Sequence, residues 1–312
     1  MLAAEMSLEY YHKPLIITYS GGKDSDVLLQ LAIECLKPTD FEVLNSHTTV
    51  DAPETVYYIR ERFKELEEKG IKATIQYPRY KDGRFKSMWS LIVDKQIPPT
   101  RLTRYCCKEL KETSTPNRFI AVGVREAESV GRRGREVFAT RGSRKDTAYY
   151  YYYYYHVKEV FEDDVERRKA DNVDANEVGV YDCMFIAKAK KNDDLICNPI
   201  YKWTDSEVWQ FIENRGMPHN PLYDKGFHRV GCIGCPLSGD QVKELEMYPK
   251  YKQNYIRAFQ RMMDKRIAEG KRNKSDYGRA WEDGEAVYKW WINDTSIPGQ
   301  MDIFQFLDEE DE

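Results

Sequence analysis

The chain has 312 residues, 41% of them apolar and 32% charged, and a net charge of −4 at neutral pH. That length buries a sizeable core as one large domain or two smaller ones, and the composition suits a soluble protein. No run of about 18 apolar residues offers a membrane span, and the acidic balance excludes a uniformly basic nucleic-acid binder while allowing local patches. Met1-Leu2-Ala3-Ala4-Glu5 lacks the regions of a secretory signal. A cytoplasmic location is therefore expected, with the seven cysteines reduced unless they bind metal.

In chain order, the apolar run Pro14–Thr18 predicts a strand, followed directly by Tyr19-Ser20-Gly21-Gly22-Lys23-Asp24-Ser25. Paired glycines allow a sharp turn that gathers bare backbone N–H groups. A helix starting near Asp24 or Ser25 adds its unsatisfied donors and positive dipole end. Lys23 supplies a point charge. Together these make a cradle for a phosphate chain or similar anion, without the longer spacing of a Walker A loop.

In the helix that follows, Val27, Leu28, Leu31 and Cys35 share one face, which marks Cys35 as buried filler. A strand is expected at 41–44 and a helix at 54–69 that Gly70 stops. Further strands are expected at 72–77, 118–123 and 195–200. This alternation predicts an α/β fold, a parallel twisted sheet with helices on both faces, whose ligands bind beyond the carboxyl ends of its strands. Residues 134–194 interrupt the pattern and include seven consecutive tyrosines, Tyr149–Tyr155. Those rings read as an inserted strand or hairpin, or as a surface for stacking bases of a single strand. Thr204-Asp205-Ser206-Glu207 has capping-box form. The last third reads as mainly helical, with a core stripe of Tyr251, Tyr255, Ala258, Phe259, Met262 and Met263. The expected domains are 1–240, with the insertion, and a helical extension 241–312 ending in an acidic tail. Two basic patches, 125–145 and 257–274, each carry seven cations, against three and two carboxylates respectively.

Cys106-Cys107 and Cys232-Ile233-Gly234-Cys235 form the second constellation. Four thiolates brought together favour a soft metal. Adjacent cysteines suit an iron–sulfur cube better than one tetrahedral zinc, because neighbours can ligate different irons. Zinc and unbound thiols are the other readings.

These stretches resemble the phosphoadenosine-phosphosulfate reductase family, the iron–sulfur-containing branch of the PP-loop ATP-pyrophosphatase superfamily. The matching segments are Ser20–Ser25, Val50–Thr55, Arg104–Lys108, Gly123–Ser129 and Arg229–Pro236. The resemblance implies an adenine nucleotide alpha hydrolase-like fold. It also implies a [4Fe–4S] cluster on Cys106, Cys107, Cys232 and Cys235, and ATP or a sulfonucleotide at Ser20, Gly21, Gly22, Lys23, Asp24 and Ser25. Lys23, Asp24 and Arg125 would then act catalytically. Asp51 is expected to bind Mg²⁺ or a ribose hydroxyl, or to cap a helix. Gly123 would let adenosine approach, and Arg125 and Arg132 would clamp phosphate or sulfate. Glu128 and Ser129 would orient Arg125. Arg229 would hold an anion near the cluster or pair with a carboxylate.

Sulfonucleotide reductases of this family use a further cysteine near the C-terminus, and none follows Cys235 here. The remaining thiols are Cys35, Cys183 and Cys197. The expected activity is therefore ATP-dependent sulfur transfer, giving AMP and pyrophosphate, as in the Dnd- and Ssp-type phosphorothioation proteins that the chain resembles. Its acceptor would be a nucleic acid on the basic patches, served by a sulfur-donor protein. The alternatives are reduction of adenylyl sulfate or its 3′-phosphate to sulfite, with a thiol-reductant partner, and a nucleotide-binding module without turnover.

Overall fold

Leu15, Ile16 and Ile17 are all buried although successive strand residues point to opposite faces, so the strand they form is covered on both sides. The structure, a computed structural model, describes residues 1–111, 115, 118–128, 137–140, 195–271 and 281–293. Its strands are β1 (Leu15–Thr18), β2 (Phe41–Ser46), β3 (Ala73–Gln76), β4 (Phe119–Ala121), β5 (Phe138–Thr140) and β6 (Leu195–Cys197). Among the described residues the helices are α1 (Leu2–Tyr11), α2 (Lys23–Cys35), α3 (Pro53–Glu68), α4 (Met88–Lys95), α5 (Tyr105–Leu110), α6 (Asp205–Asn214), α7 (Gln241–Met247), α8 (Pro249–Ala268) and α9 (Gly284–Asn293).

The chain divides into two compact units. The first comprises residues 1–46, 53–76 and 114–230; the second comprises 47–52, 77–113 and 231–312. Along the chain the segments of the two units alternate.

The first unit holds the sheet, in the order β3-β2-β1-β4-β6-β5. Five strands are parallel, as expected. The sixth, β5, runs antiparallel to β6, pairing Phe138 with Cys197 and Thr140 with Leu195. An antiparallel edge needs no crossover helix, and Phe138 packs edge-on against Phe119 at 5.7 Å. Ile59, Phe63 and Leu66 of α3 join Leu28 and Leu29 of α2 in the core. Val27 instead packs with Val208, Phe211 and Ile212 of α6. Cys35, expected inside, is exposed at the last turn of α2. There the apolar stripe runs past the core.

The second unit is helical. The α8 stripe buries Tyr255, Ala258, Phe259, Met262 and Met263, as the sequence suggests. Tyr255 meets Trp89 of α4 at 5.0 Å and Trp291 of α9 at 4.6 Å between ring centroids. The Trp291 indole N–H donates to Pro99 O (2.6 Å). No helix of the described residues is long and apolar enough to cross a membrane.

The capping box forms at α6. Thr204 Oγ1 accepts from Glu207 N at 3.2 Å, and Glu207 Oε2 accepts from Thr204 N at 2.7 Å. Thr204→Ala should cost about 1 kcal/mol in urea unfolding, and Thr204→Ser should recover most of it.

Candidate nucleotide and thiolate sites

The loop between β1 and α2 is shaped by its glycines and held from below. Gly21 has φ +73°, and a Cβ there would lie 2.9 Å from the Ile59 side chain, so only glycine fits unstrained. Asn220, fully buried, donates to Gly21 O (2.9 Å) and Thr55 Oγ1 (3.1 Å). Asn45 donates to Tyr19 O (2.8 Å). The Ser25 hydroxyl donates to Gly22 O (2.7 Å), and the backbone N–H groups of Ser25 and Asp26 bond to the same carbonyl. Helix α2 thus begins at Lys23 with Gly22 as its cap, a residue before the expected start. Among the described residues the backbone N–H groups of Gly21, Gly22 and Asp24 have no acceptor. Lys23 N donates to the Tyr223 hydroxyl at 2.9 Å.

Gly123 serves the same loop. A Cβ there would lie 2.9 Å from Asp24 O and 3.0 Å from Asp24 C. The first turn of α2 thus approaches the Gly123 backbone.

Lys23, Asp24 and Arg125 are brought together. Lys23 is 5% exposed, and its ammonium lies 3.3 Å from Asp24 Oδ2 and 3.0 Å from Asp205 Oδ1. Arg125, 2% exposed, donates from Nε to Asp24 Oδ1, from Nη2 to Asp205 Oδ1 (2.8 Å) and from Nη1 to Trp203 O (3.2 Å). All three guanidinium nitrogens are thus engaged inside the protein. Burial alone would raise Asp205, but the hydrogen bonds and charges of Lys23 and Arg125 outweigh it and hold the carboxyl below its usual value. Glu128 Oε2 accepts from Arg125 N (3.0 Å), so it fixes that residue's backbone. Ser129 and Arg132 lie outside the described residues, as do Tyr149–Tyr155, Cys183, the acidic tail and parts of both basic patches. Arg229 is exposed and has no carboxylate partner among the described residues.

The thiolate constellation lies in the second unit, where all four cysteines are half-buried. Cys106 and Cys107 share a hydrogen bond that draws Cys107 below the usual thiol value, helped by Arg104, whose Nη2 lies 3.6 Å from its sulfur. Cys106 is pushed up by the same bond, by burial and by the charges of Cys107, Cys232 and Cys235. Cys232 is raised by burial against the opposing charge of Lys111, and it bonds Thr48 Oγ1 at 3.5 Å. Gly234, between Cys232 and Cys235, donates its N–H to Glu244 (2.8 Å) and accepts from Gln241 (3.1 Å). Its neighbour Ile233 accepts at its carbonyl from the Tyr255 hydroxyl (3.0 Å).

Asp51 belongs here, bridged through the backbone to Cys232. Its carboxylate accepts from Thr48 N (2.9 Å) and faces His47 Nδ1 at 3.7 Å. Among the described residues no three His, Cys, Asp or Glu side chains stand as a preformed metal site. The donor chemistry nevertheless fits a thiolate-ligated group: four sulfurs within mutual electrostatic reach, flanked by Arg104 and Lys111.

Sequence reasoning missed Asp205, Asn220, Tyr223 and Thr48. Asp205 was read only as part of a helix cap. It also missed the buried group beneath the loop. Asp26, 1% exposed, accepts from the Tyr19 hydroxyl at 2.5 Å, while its Oδ2 has no hydrogen-bond partner among the described residues. Burial raises its carboxyl to about 7, against the lowering effects of Tyr19, Tyr58, Arg62 and His219. An acid raised on folding contributes most below its unfolded value, and that contribution is lost as pH rises towards 7. Between pH 5 and 8, Asp26→Asn should therefore gain on the wild type by the order of a few kcal/mol in unfolding free energy. Denaturant titration at both pH values measures the difference.

The model of the phosphoadenosine phosphosulfate reductase domain family matches residues 14–238. An uncharacterised protein of Methanocaldococcus jannaschii is 23% identical over 246 residues, covering 78% of this chain and 47% of that protein. The chain spans about half the length, or less, of the curated relatives it matches over most of its own. The adenosine 5'-phosphosulfate reductase of Salinibacter ruber is 39% identical over 44 residues, 14% of this chain and 18% of that one. The phosphoadenylyl-sulfate reductase of Candida auris, solved with phosphate, covers 74% of this chain and 88% of its own, at 13% identity and a TM-score of 0.41. With the family match extending over most of its length, the chain belongs to the phosphoadenosine phosphosulfate reductase domain family.

Proposed function

We propose that the protein is an enzyme that binds ATP at Ser20–Ser25, cleaves it to AMP and pyrophosphate, and transfers sulfur to a nucleic acid. The observation that carries this reading is the cradle itself: N–H groups of Gly21, Gly22 and Asp24 without acceptors among the described residues, beside a buried lysine. An acceptor oxygen attacks the α-phosphorus, forming the adenylate and breaking the bond to the β-phosphate oxygen. The loop donors and Lys23 stabilise the negative charge on the departing pyrophosphate. Hydrosulfide released by a donor protein then attacks the adenylated centre, and its bond to sulfur forms as the bond to the AMP oxygen breaks and AMP leaves. Arg125, Asp24 and Asp205 position Lys23, and Mg²⁺ would accompany the nucleotide.

Cys106, Cys107, Cys232 and Cys235 would hold a [4Fe–4S] group, which supplies soft iron able to bind sulfur or pass single electrons. Thr48 and Lys111 steady Cys232, and Asp51 is reassigned to this site. The second reading is reduction of a sulfonucleotide to sulfite, the chemistry after which the family is named. It needs an accessible thiol, and Cys197, one of the remaining candidates, is buried in β6.

Anaerobically purified protein incubated with ATP and a nucleic-acid acceptor should release AMP and pyrophosphate, and Lys23→Ala should lower kcat/KM about 100-fold. Sulfite formed from adenylyl sulfate or its 3′-phosphate with a thiol reductant would replace this reading with the second. Nucleotide binding without any product would leave a binding module. A separate assay concerns the thiols: about four iron and four sulfide per chain are expected. A Cys106→Ser, Cys232→Ser double variant should lose both, and zinc alone after oxygen-free preparation would refute the cluster.

A further inference from the structure

Residues 77–86 form a hairpin in the second unit that none of the chemistry above uses. Arg79 and Phe85 pair across it, Tyr80 N bonds Arg84 O (2.9 Å), and Lys86 N bonds Pro78 O (2.8 Å). One side is anchored: the Tyr80 hydroxyl bonds Asp94 (2.5 Å) and Ser90 (2.9 Å) of α4. The other side carries aromatic rings in the open. Phe85 is 60% exposed and Tyr77 43% exposed, their centroids 6.1 Å apart and edge to face. The His47 ring adjoins Tyr77 at 5.2 Å, and the Arg79 guanidinium lies 3.8 Å over Phe85.

The hairpin carries Arg79, Lys81, Arg84 and Lys86 against the single carboxylate of Asp82. Arg84 pairs with Asp82 and Lys86 with Glu109. Lys81 is exposed and has no partner among the described residues. Open rings beside cations match one ligand chemistry closely: unpaired bases that stack, joined by phosphates that the cations meet. An apolar protein surface would be opposed by the charged turn Lys81-Asp82-Gly83-Arg84. A duplex hides the faces of its bases from such rings.

We propose that this hairpin is a docking surface for a single-stranded nucleic acid, with bases stacking on Tyr77 and Phe85 and the backbone passing Arg79 and Lys81. The proposal rests on the nucleic-acid acceptor of the function above and locates that partner on residues outside both basic patches. Its test does not depend on turnover.

Fluorescence anisotropy of the full protein with labelled oligonucleotides of about 20 nucleotides, single-stranded and duplex, provides the test. The single strand should bind more tightly than the duplex. A Tyr77→Ala, Phe85→Ala double variant should weaken the single strand about tenfold or more. Lys81→Ala should instead reduce the slope of log affinity against log salt by about 1. Circular dichroism and ATP binding should be unchanged in all three proteins. Equal affinity for duplex and single strand, wild-type affinity in the double variant, or no oligonucleotide binding by the wild type would each overturn the proposal. ATP cleavage lost or absent while hairpin-dependent binding persists would sink the proposed reaction and leave the docking surface standing.

Discussion

Arg125 is a cation taken almost wholly out of water, and the geometry of the loop between β1 and α2 depends on how its charge is met. A buried guanidinium is tolerable only with carboxylates and carbonyls against its donors. Asp24 on the first turn of α2 and Asp205 on the first turn of α6 supply the carboxylates, and Trp203 O the carbonyl. One side chain just beyond β4 therefore ties together the starts of two helices separated by about 180 residues of chain. The two partners differ in weight. The Asp24 side chain is 19% exposed and meets the guanidinium in a poorly solvated place, whereas that of Asp205 is 64% exposed and is screened by water. The lasting constraint is the Asp24 end, and Gly123, by admitting the Asp24 backbone, makes that approach possible.

The same network changes what Lys23 offers to an anion. Lys23 and Arg125 together carry two positive charges, and Asp24 and Asp205 two negative ones, so the cluster is close to neutral. Attraction for a polyphosphate then comes first from aligned backbone donors and the α2 dipole, which carry no counter-ion of their own. Asp205 is exposed enough that water screens its pairing with Lys23. Tyr223 stands in a similar relation: its hydroxyl oxygen accepts the Lys23 N–H, a donor that a phosphate oxygen would also take. Burial raises this phenol, so it remains protonated and can in turn donate to an anion.

Much of this architecture was legible because it is local. The β1–loop–α2 sequence, the capping box at Thr204 and the α8 stripe each rest on residues within a few positions of one another. The partnerships that make the site are not local. Asp205 lies 80 residues from Arg125, Asn220 lies 199 from Gly21, and Thr48 lies 184 from Cys232. No periodicity or motif joins such pairs. Cys35 shows the opposite error, since a correct helical face was extended one turn beyond the core it serves. Antiparallel β5 escaped notice because three residues beside a long interruption leave no period to read. Asp51 was ambiguous for a chemical reason, since a carboxylate before a helix suits a cap, a metal or a ribose equally well.

The helices 241–293 looked in the sequence like an appendage to a nucleotide-binding domain, yet their side chains hold the second cysteine pair. Gly234, at φ +71°, lies so close to Leu245, Tyr255 and Trp291 that a Cβ would meet each within 3.2 Å. Glu244 is 8% exposed, and its two oxygens are taken by Gly234 N and the Ser238 hydroxyl. A buried carboxylate held to the backbone between Cys232 and Cys235 has the same sign as any thiolate formed there. It is tolerated because it replaces water as the partner of a buried backbone N–H, whose loss would cost as much. Were all four thiols to ionise, they would call for more positive charge than Arg104 and Lys111 bring, and the metal group proposed above would supply it. The thiolate site is thus a product of the helical unit as a whole, with the cysteines as its most visible part.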